Sequence, residues 1–117
     1  MNRNERLVGG SFQKSGIEAE ETRGSGSVND DADLRVKDFL VECKERTTNS
    51  NITIPYKFVK KVRQQALNRD KEWMVVYTNS MGEKFALLDL DTLVYYLREE
   101  DGDGEEEKGR GRPTQGG

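Results

Sequence analysis

Apolar and polar residues alternate most clearly between Phe39 and Lys44. Phe39, Val41 and Cys43 fall on one side of an extended chain, and Leu40, Glu42 and Lys44 on the other. Just upstream, Asp33-Leu34-Arg35-Val36 enters the same alternation, and Lys37-Asp38 forms a tight connection between the two predicted strands. From Pro55 to Asn68 the period lengthens to that of a helix. Phe58, Val59, Val62, Ala66 and Leu67 make an apolar stripe, Lys57, Lys60, Lys61, Gln64 and Asn68 lie on another side, and Thr53 is placed to cap. Glu72 to Tyr77 reads as a buried strand, Thr78 to Glu83 as a hairpin loop, and Lys84 to Leu88 as the returning strand. Asp89 or Asp91 then caps a final helix with Leu93, Val94 and Leu97 as its inward stripe and Tyr95 and Tyr96 at its edge.

The flanks carry no such periods. Residues 1–16 hold only Leu7, Val8 and Phe12 to pack among polar residues and glycines, which predicts a mobile arm. Ile17 to Thr22 reads as a short helix end that Gly24 stops. From Glu99 the chain is acidic and then glycine-rich, a composition that predicts a disordered tail over 99–117. The organisation that follows is an arm, one α/β domain over 17–98 and a tail. The domain is expected to hold a mixed four-stranded sheet flanked by helices.

Composition narrows the chemistry. With 117 residues, 32% hydrophobic and 35% charged, the chain supports a single small core. No apolar run is long enough to span a membrane, so a cytoplasmic protein is expected. The sequence contains no histidine and one cysteine, which removes internal disulfides, histidine-based zinc sites and serine-type triads. Cys43 alternates onto the apolar side of its strand and is expected to be a core thiol. Net charge is −3, yet residues 44–71 hold eight basic residues against two acidic ones, a local +6 that suits a phosphate backbone. The seven acids in residues 99–107 account for the acidic balance and suit a solubilising tail, or a mimic of DNA at the basic face. Trp73 and Tyr77 are assigned to the core rather than to base stacking, because so little else is apolar.

Glu42 and Lys44 form a candidate site. A Glu-x-Lys pair alone describes any solvated strand edge. Here it leaves an apolar run, Asp33 precedes it at the start of the neighbouring strand, and Gly24-Ser25-Gly26-Ser27 comes before that. A glycine-serine turn admits a phosphate close to the backbone, with the Ser25 and Ser27 hydroxyls as donors. Asp30 and Asp31 share the region with Asp33, which is preferred because it enters the strand pattern. Two carboxylates with a lysine at the rim suit a hard divalent cation.

These residues, in the order Gly24-Ser25-Gly26-Ser27, Asp33, Phe39-Leu-Val-Glu-Cys-Lys44, resemble the PD-(D/E)xK nuclease superfamily. Within it, they are most similar to the phage and archaeal Holliday-junction-resolvase-like endonucleases. The resemblance spans roughly residues 20–97 and implies a restriction-endonuclease-like core. It also implies Mg²⁺, with Mn²⁺ as a substitute, held by Asp33, Glu42 and the Cys43 main-chain carbonyl. An N-terminal helix in that family often adds a glutamate, for which Glu21, Glu20 and Glu18 are candidates in that order. Lys44 would act at the scissile phosphate, with Lys57, Lys60 and Lys61 holding DNA. Branched DNA, a homodimer and, for a phage gene product, the host cytoplasm complete what is implied. Two other classes fit the same residues: a non-catalytic nucleic-acid-binding module, and a protein-interaction domain using a strand edge and the acidic tail.

Overall fold

The structure, a computed structural model, describes residues 2–22, 32–46 and 51–102. Their order is α1 (Arg3–Gln13), β1 (Ala19–Glu21), β2 (Leu34–Val36), β3 (Phe39–Glu45), α2 (Tyr56–Asn68), β4 (Glu72–Thr78), β5 (Lys84–Leu88) and α3 (Leu90–Gly102). The fold is a mixed α/β sheet flanked by helices, with five strands rather than the four expected, in the spatial order β1-β2-β3-β4-β5.

The first three strands form an antiparallel meander. Lys37 takes the left-handed backbone, φ 52°, that lets the two-residue connection reverse the chain between β2 and β3. β3 and β4 are parallel, in the register Glu42↔Val75 and Lys44↔Tyr77. Parallel neighbours need a long crossover, which α2 supplies. The hairpin from β4 to β5 is organised by Asn79. Its side-chain oxygen accepts from the amides of Met81 (3.0 Å) and Glu83 (2.9 Å), while Gly82 takes φ 81°.

Each sheet face carries its own core. Leu34, Val36, Val41 and Val76 pack with Val8 of α1 and Ala19, bordered by Phe12, Phe39, Cys43 and Met74. On the opposite face Leu40 and Val75 pack with Val62 and Ala66 of α2, bordered by Trp73 and Ile54. Tyr77 is fully buried and its hydroxyl donates to the Asn51 carbonyl at 3.2 Å, so it is a core residue as expected. Each such buried side chain contributes roughly 1.5–3 kcal/mol of transfer free energy.

Three sequence expectations are corrected here. Residues 3–13 are a helix packed on the sheet rather than a mobile arm, because Asn2 and Glu5 form a reciprocal capping box and Val8 and Phe12 share one face. The segment after it is strand β1 rather than a helix end. Cross-strand pairing with β2, Ala19↔Val36 to Glu21↔Leu34, overrides its helical composition. The last helix continues past Arg98 to Gly102, into the stretch expected as tail. Two smaller corrections concern helix α2 and helix α3. Leu67 is exposed and Gln65 takes its place in the inward face of α2, whose N-cap is Pro55 with no side-chain cap. Leu93, Val94 and Leu97 of α3 point outward rather than inward. Asp89 does cap α3, accepting from the Asp91 amide at 2.9 Å.

Candidate metal and phosphate site

The site grows from the register of β2 on β3. Leu34 pairs with Val41, so continuing the antiparallel ladder by one residue sets Asp33 across from Glu42. Asp33 has already left the strand, and its carboxylate replaces the missing rung: Oδ2 accepts the Cys43 amide at 2.8 Å. In an extended strand the N–H and C=O of one residue point to the same neighbour. The Cys43 carbonyl therefore opens on the edge where the Asp33 carboxylate lies. The Thr22 amide donates to the Asp33 carbonyl at 3.3 Å, and the Thr22 hydroxyl donates to the Ala32 carbonyl, which ties this corner to β1.

Glu42 projects from the middle of β3 on the α2 face and is 8% exposed. Burial raises its pKa above the ordinary carboxylate range, and the neighbouring Asp33 charge raises it further. Lys44 and Lys61 act in the opposite sense. The Lys44 ammonium stands 3.6 Å from Glu42 Oε2 and 3.5 Å from the centroid of the Phe58 ring on α2. Phe58 thus presents its π-face to the lysine, a contact that holds a cation while leaving its charge unneutralised. Lys57 Nζ lies 5.6 Å from the same ring, and Lys57, Lys60 and Lys61 are all exposed along α2.

The structure therefore brings together Asp33, Glu42 and Lys44, and sets the basic helix beside them. It places Glu21 elsewhere. Glu21 pairs with Leu34, whose side chain lies in the α1-side core, so Glu21 stands on the sheet face opposite Glu42. Glu20 is ion-paired to Arg35 at 2.7 Å. From the N-terminal helix, Glu5 comes near Asp33. Its pKa is raised by burial and by the charge and side-chain hydrogen bond of Asp33. Sequence reading missed it, although Asn2 and Glu5 carry the spacing of a capping box and so marked a helix start. Ser25, Ser27, Asp30 and Asp31 lie outside the described residues.

Cys43 faces the other way, into the α1-side core. Burial, reinforced by Asp33, Glu5 and Glu42, pushes its thiol far above the ordinary range, so it is protonated and unreactive, as a core thiol should be. Among the described residues no group of three or more Cys, Asp or Glu side chains is arranged to hold a metal ion by itself. Among the same residues no helix is long and apolar enough to cross a membrane. A scan against models of known protein families and a search of curated proteins each found no match to the chain.

Proposed function

We propose that this chain is a metal-dependent DNA endonuclease of the PD-(D/E)xK kind, with a restriction-endonuclease-like core. The observation that carries the reading is the convergence of Asp33, Glu42 and Lys44 beside the basic helix α2. A buried carboxylate beside a second carboxylate, with one partly engaged lysine, is an arrangement that a divalent cation relieves.

The donors fit such a cation. Asp33 and Glu42 offer carboxylate oxygens and Cys43 a carbonyl, all hard ligands. Magnesium is ordinarily held by one or two protein carboxylates and fills its remaining positions with water and substrate oxygens. A preformed three-carboxylate cage is therefore not required. When bound, Mg²⁺ or Mn²⁺ supplies Lewis-acid polarisation of the phosphate and acidifies a water molecule. Lys44 contributes a positive charge to the phosphate as negative charge builds there and orients the attacking water. The Phe58 ring and Glu42 keep that ammonium in place. Lys57, Lys60 and Lys61 contact the phosphate backbone.

The resemblance extends the proposal to branched DNA and to a homodimer that sets two sites across a four-way junction. A non-catalytic nucleic-acid-binding module is the second reading, favoured by the lack of a three-residue metal cluster among the described residues. Incubation of the protein with four-way-junction, flap, duplex and single-stranded DNA in Mg²⁺, Mn²⁺ or EDTA separates the two. Cation-dependent cleavage that EDTA abolishes supports the nuclease. Binding without cleavage in either cation overturns it in favour of the module.

A further inference from the structure

Helix α3 turns its apolar side away from the sheet. The Thr92 hydroxyl donates to Glu72 Oε1 at 3.1 Å and the Tyr96 ring lies 5.4 Å from that of Phe39, so positions 92 and 96 face inward. Leu90, Leu93, Val94 and Leu97 fall on the far side at spacing i, i+3, i+4, i+7 and are 70, 39, 42 and 53% exposed. Such a stripe covers on the order of 400 Å², within the range of surface patches that mark an interaction site. The chain's own remaining stretches supply no cover. Residues 23–31 hold one large apolar side chain, Val28, and residues 47–50 and 103–117 hold none.

The charges around the stripe are almost all of one sign. From Asp89 to Glu107 the sequence holds nine acidic residues and a single basic one, Arg98. Asp89 caps α3, Asp91 lies in its first turn, and its last turn carries no basic residue. Acidic side chains at a helix C-terminus sit against the negative end of the dipole, where a cation is favoured instead. This charge repels phosphate-bearing surfaces, whether DNA or anionic lipid, and a second copy of the chain brings the same excess of acids.

We propose that the stripe is the docking site for a basic amphipathic helix of a different protein, with leucine-like side chains along one seam and Lys or Arg on its flanks. The spacing selects a helix, because a ridge at i, i+3, i+4, i+7 packs into the groove of another helix. The charge selects Lys and Arg, which supply the cations that the last turn of α3 lacks. Such a partner leaves the candidate metal site open. Phe39, under the Tyr96 ring, borders the α1-side core, whereas Glu42 and Lys44 stand on the α2 face. The docking rests on α3 alone and holds whether or not the chain cleaves DNA.

Fluorescence anisotropy of a labelled synthetic helix of about three heptads, Leu on the seam and Lys on both flanks, titrated with the full chain, tests it. Saturable binding is expected with Kd of about 1–100 μM, the range for an interface at the small end. A peptide with Glu in place of Lys, and another with Ser in place of Leu, should each bind at least about tenfold more weakly. Leu93→Glu in the chain should weaken binding by a similar factor without lowering Tm, since the side chain is already exposed. Amide shifts in the wild-type chain, which need no variant, should move along residues 90–97 and stay still at Glu42 and Lys44. No saturable binding overturns the proposal, as does a Glu peptide that binds as tightly. A Ser peptide that binds as tightly overturns it too, because the acids alone then hold the peptide. Shifts confined to other elements, or a chain that buries the stripe by pairing with itself in sedimentation, count against it equally.

Discussion

Oδ2 of Asp33 accepts the main-chain amide of Cys43 at 2.8 Å, so one side chain both finishes the β2–β3 ladder and stands beside Glu42. The structural and the proposed chemical roles of Asp33 share one carboxylate and can be separated by substitution. Asp33→Asn keeps an oxygen acceptor for the amide and loses the charge. Asp33→Ala loses both and leaves a partly buried amide without its partner, at a cost of about 1–3 kcal/mol. On the proposed function, Asp33→Asn and Glu42→Gln abolish Mg²⁺-dependent cleavage while DNA affinity is kept or increased, because ligands and repelling charge go together. Cleavage at the wild-type rate by either variant places the site elsewhere.

Glu42 also makes a prediction about stability that needs no substrate. Its folded pKa is raised by burial and by Asp33. A carboxyl with a raised folded pKa gives its full contribution to stability below its ordinary pKa, and that contribution is lost as pH rises through the folded value. Glu42→Gln removes the titration. The variant is expected to melt a few degrees above wild type at pH 7–8, with the difference shrinking as the pH falls toward 4. A difference in Tm that is independent of pH between about 4 and 8 contradicts the raised value.

Helix α1 gives a sharp contrast between arm and core. Val8 is 1% exposed in the α1-side core. Val8→Ala should cost about 1–3 kcal/mol, the usual range for losing a buried branched side chain. Asn2→Ala removes the cap acceptor of the Glu5 amide, bonded at 2.8 Å, and should cost about 1 kcal/mol. Urea unfolding measures both. Neither change would register if residues 3–13 were an arm.

The contrast also shows what the sequence could and could not reveal. Strand β3 and helix α2 were legible because each alternates apolar and polar positions at a regular period, and β4 and β5 because each is a short apolar run flanked by turn residues. β1 was not, since Ala19-Glu20-Glu21 carries no strand signal of its own and owes its conformation to β2. α1 hid behind Gly9, Gly10 and a buried asparagine, Asn4, which interrupt its apolar face. The pairing of Asp33 with Glu42 and Lys44 followed from alternation plus one antiparallel connection, and both were readable. Glu5 was not, because its approach to Asp33 depends on how α1 crosses the sheet, a tertiary relationship with no linear trace. The outward stripe of α3 was misread for a related reason: periodicity finds an apolar face and does not say which body covers it.

Phe58 is expected to act through Lys44. With the ring centroid 3.5 Å from Nζ, Phe58→Leu keeps an apolar side chain at this position and removes the π-face. On the proposed function kcat should fall about tenfold with KM little changed, and Phe58→Tyr should restore most of it. Equal activity of the leucine and tyrosine variants would assign Phe58 to packing alone.

The exposed lysines of α2 decide whether this helix meets DNA. If Lys57, Lys60 and Lys61 contact phosphates, replacing all three with Gln weakens binding to every sequence alike. Each lost contact flattens the log–log salt dependence by nearly one, about three in all. The fold should survive, since Val59, Val62 and Ala66 anchor α2 and exposed Lys→Gln changes in a helix cost only tenths of a kcal/mol. Lys61 carries a second role, because it helps offset the raised pKa of Glu42. Lys61→Gln alone should therefore raise that pKa further, whereas Lys60→Gln should leave it where it is. Titration of Glu42 by NMR in the two single variants, read beside the salt slopes, separates phosphate contact from support of the carboxylate. An unchanged slope in the folded triple variant removes α2 from the binding surface.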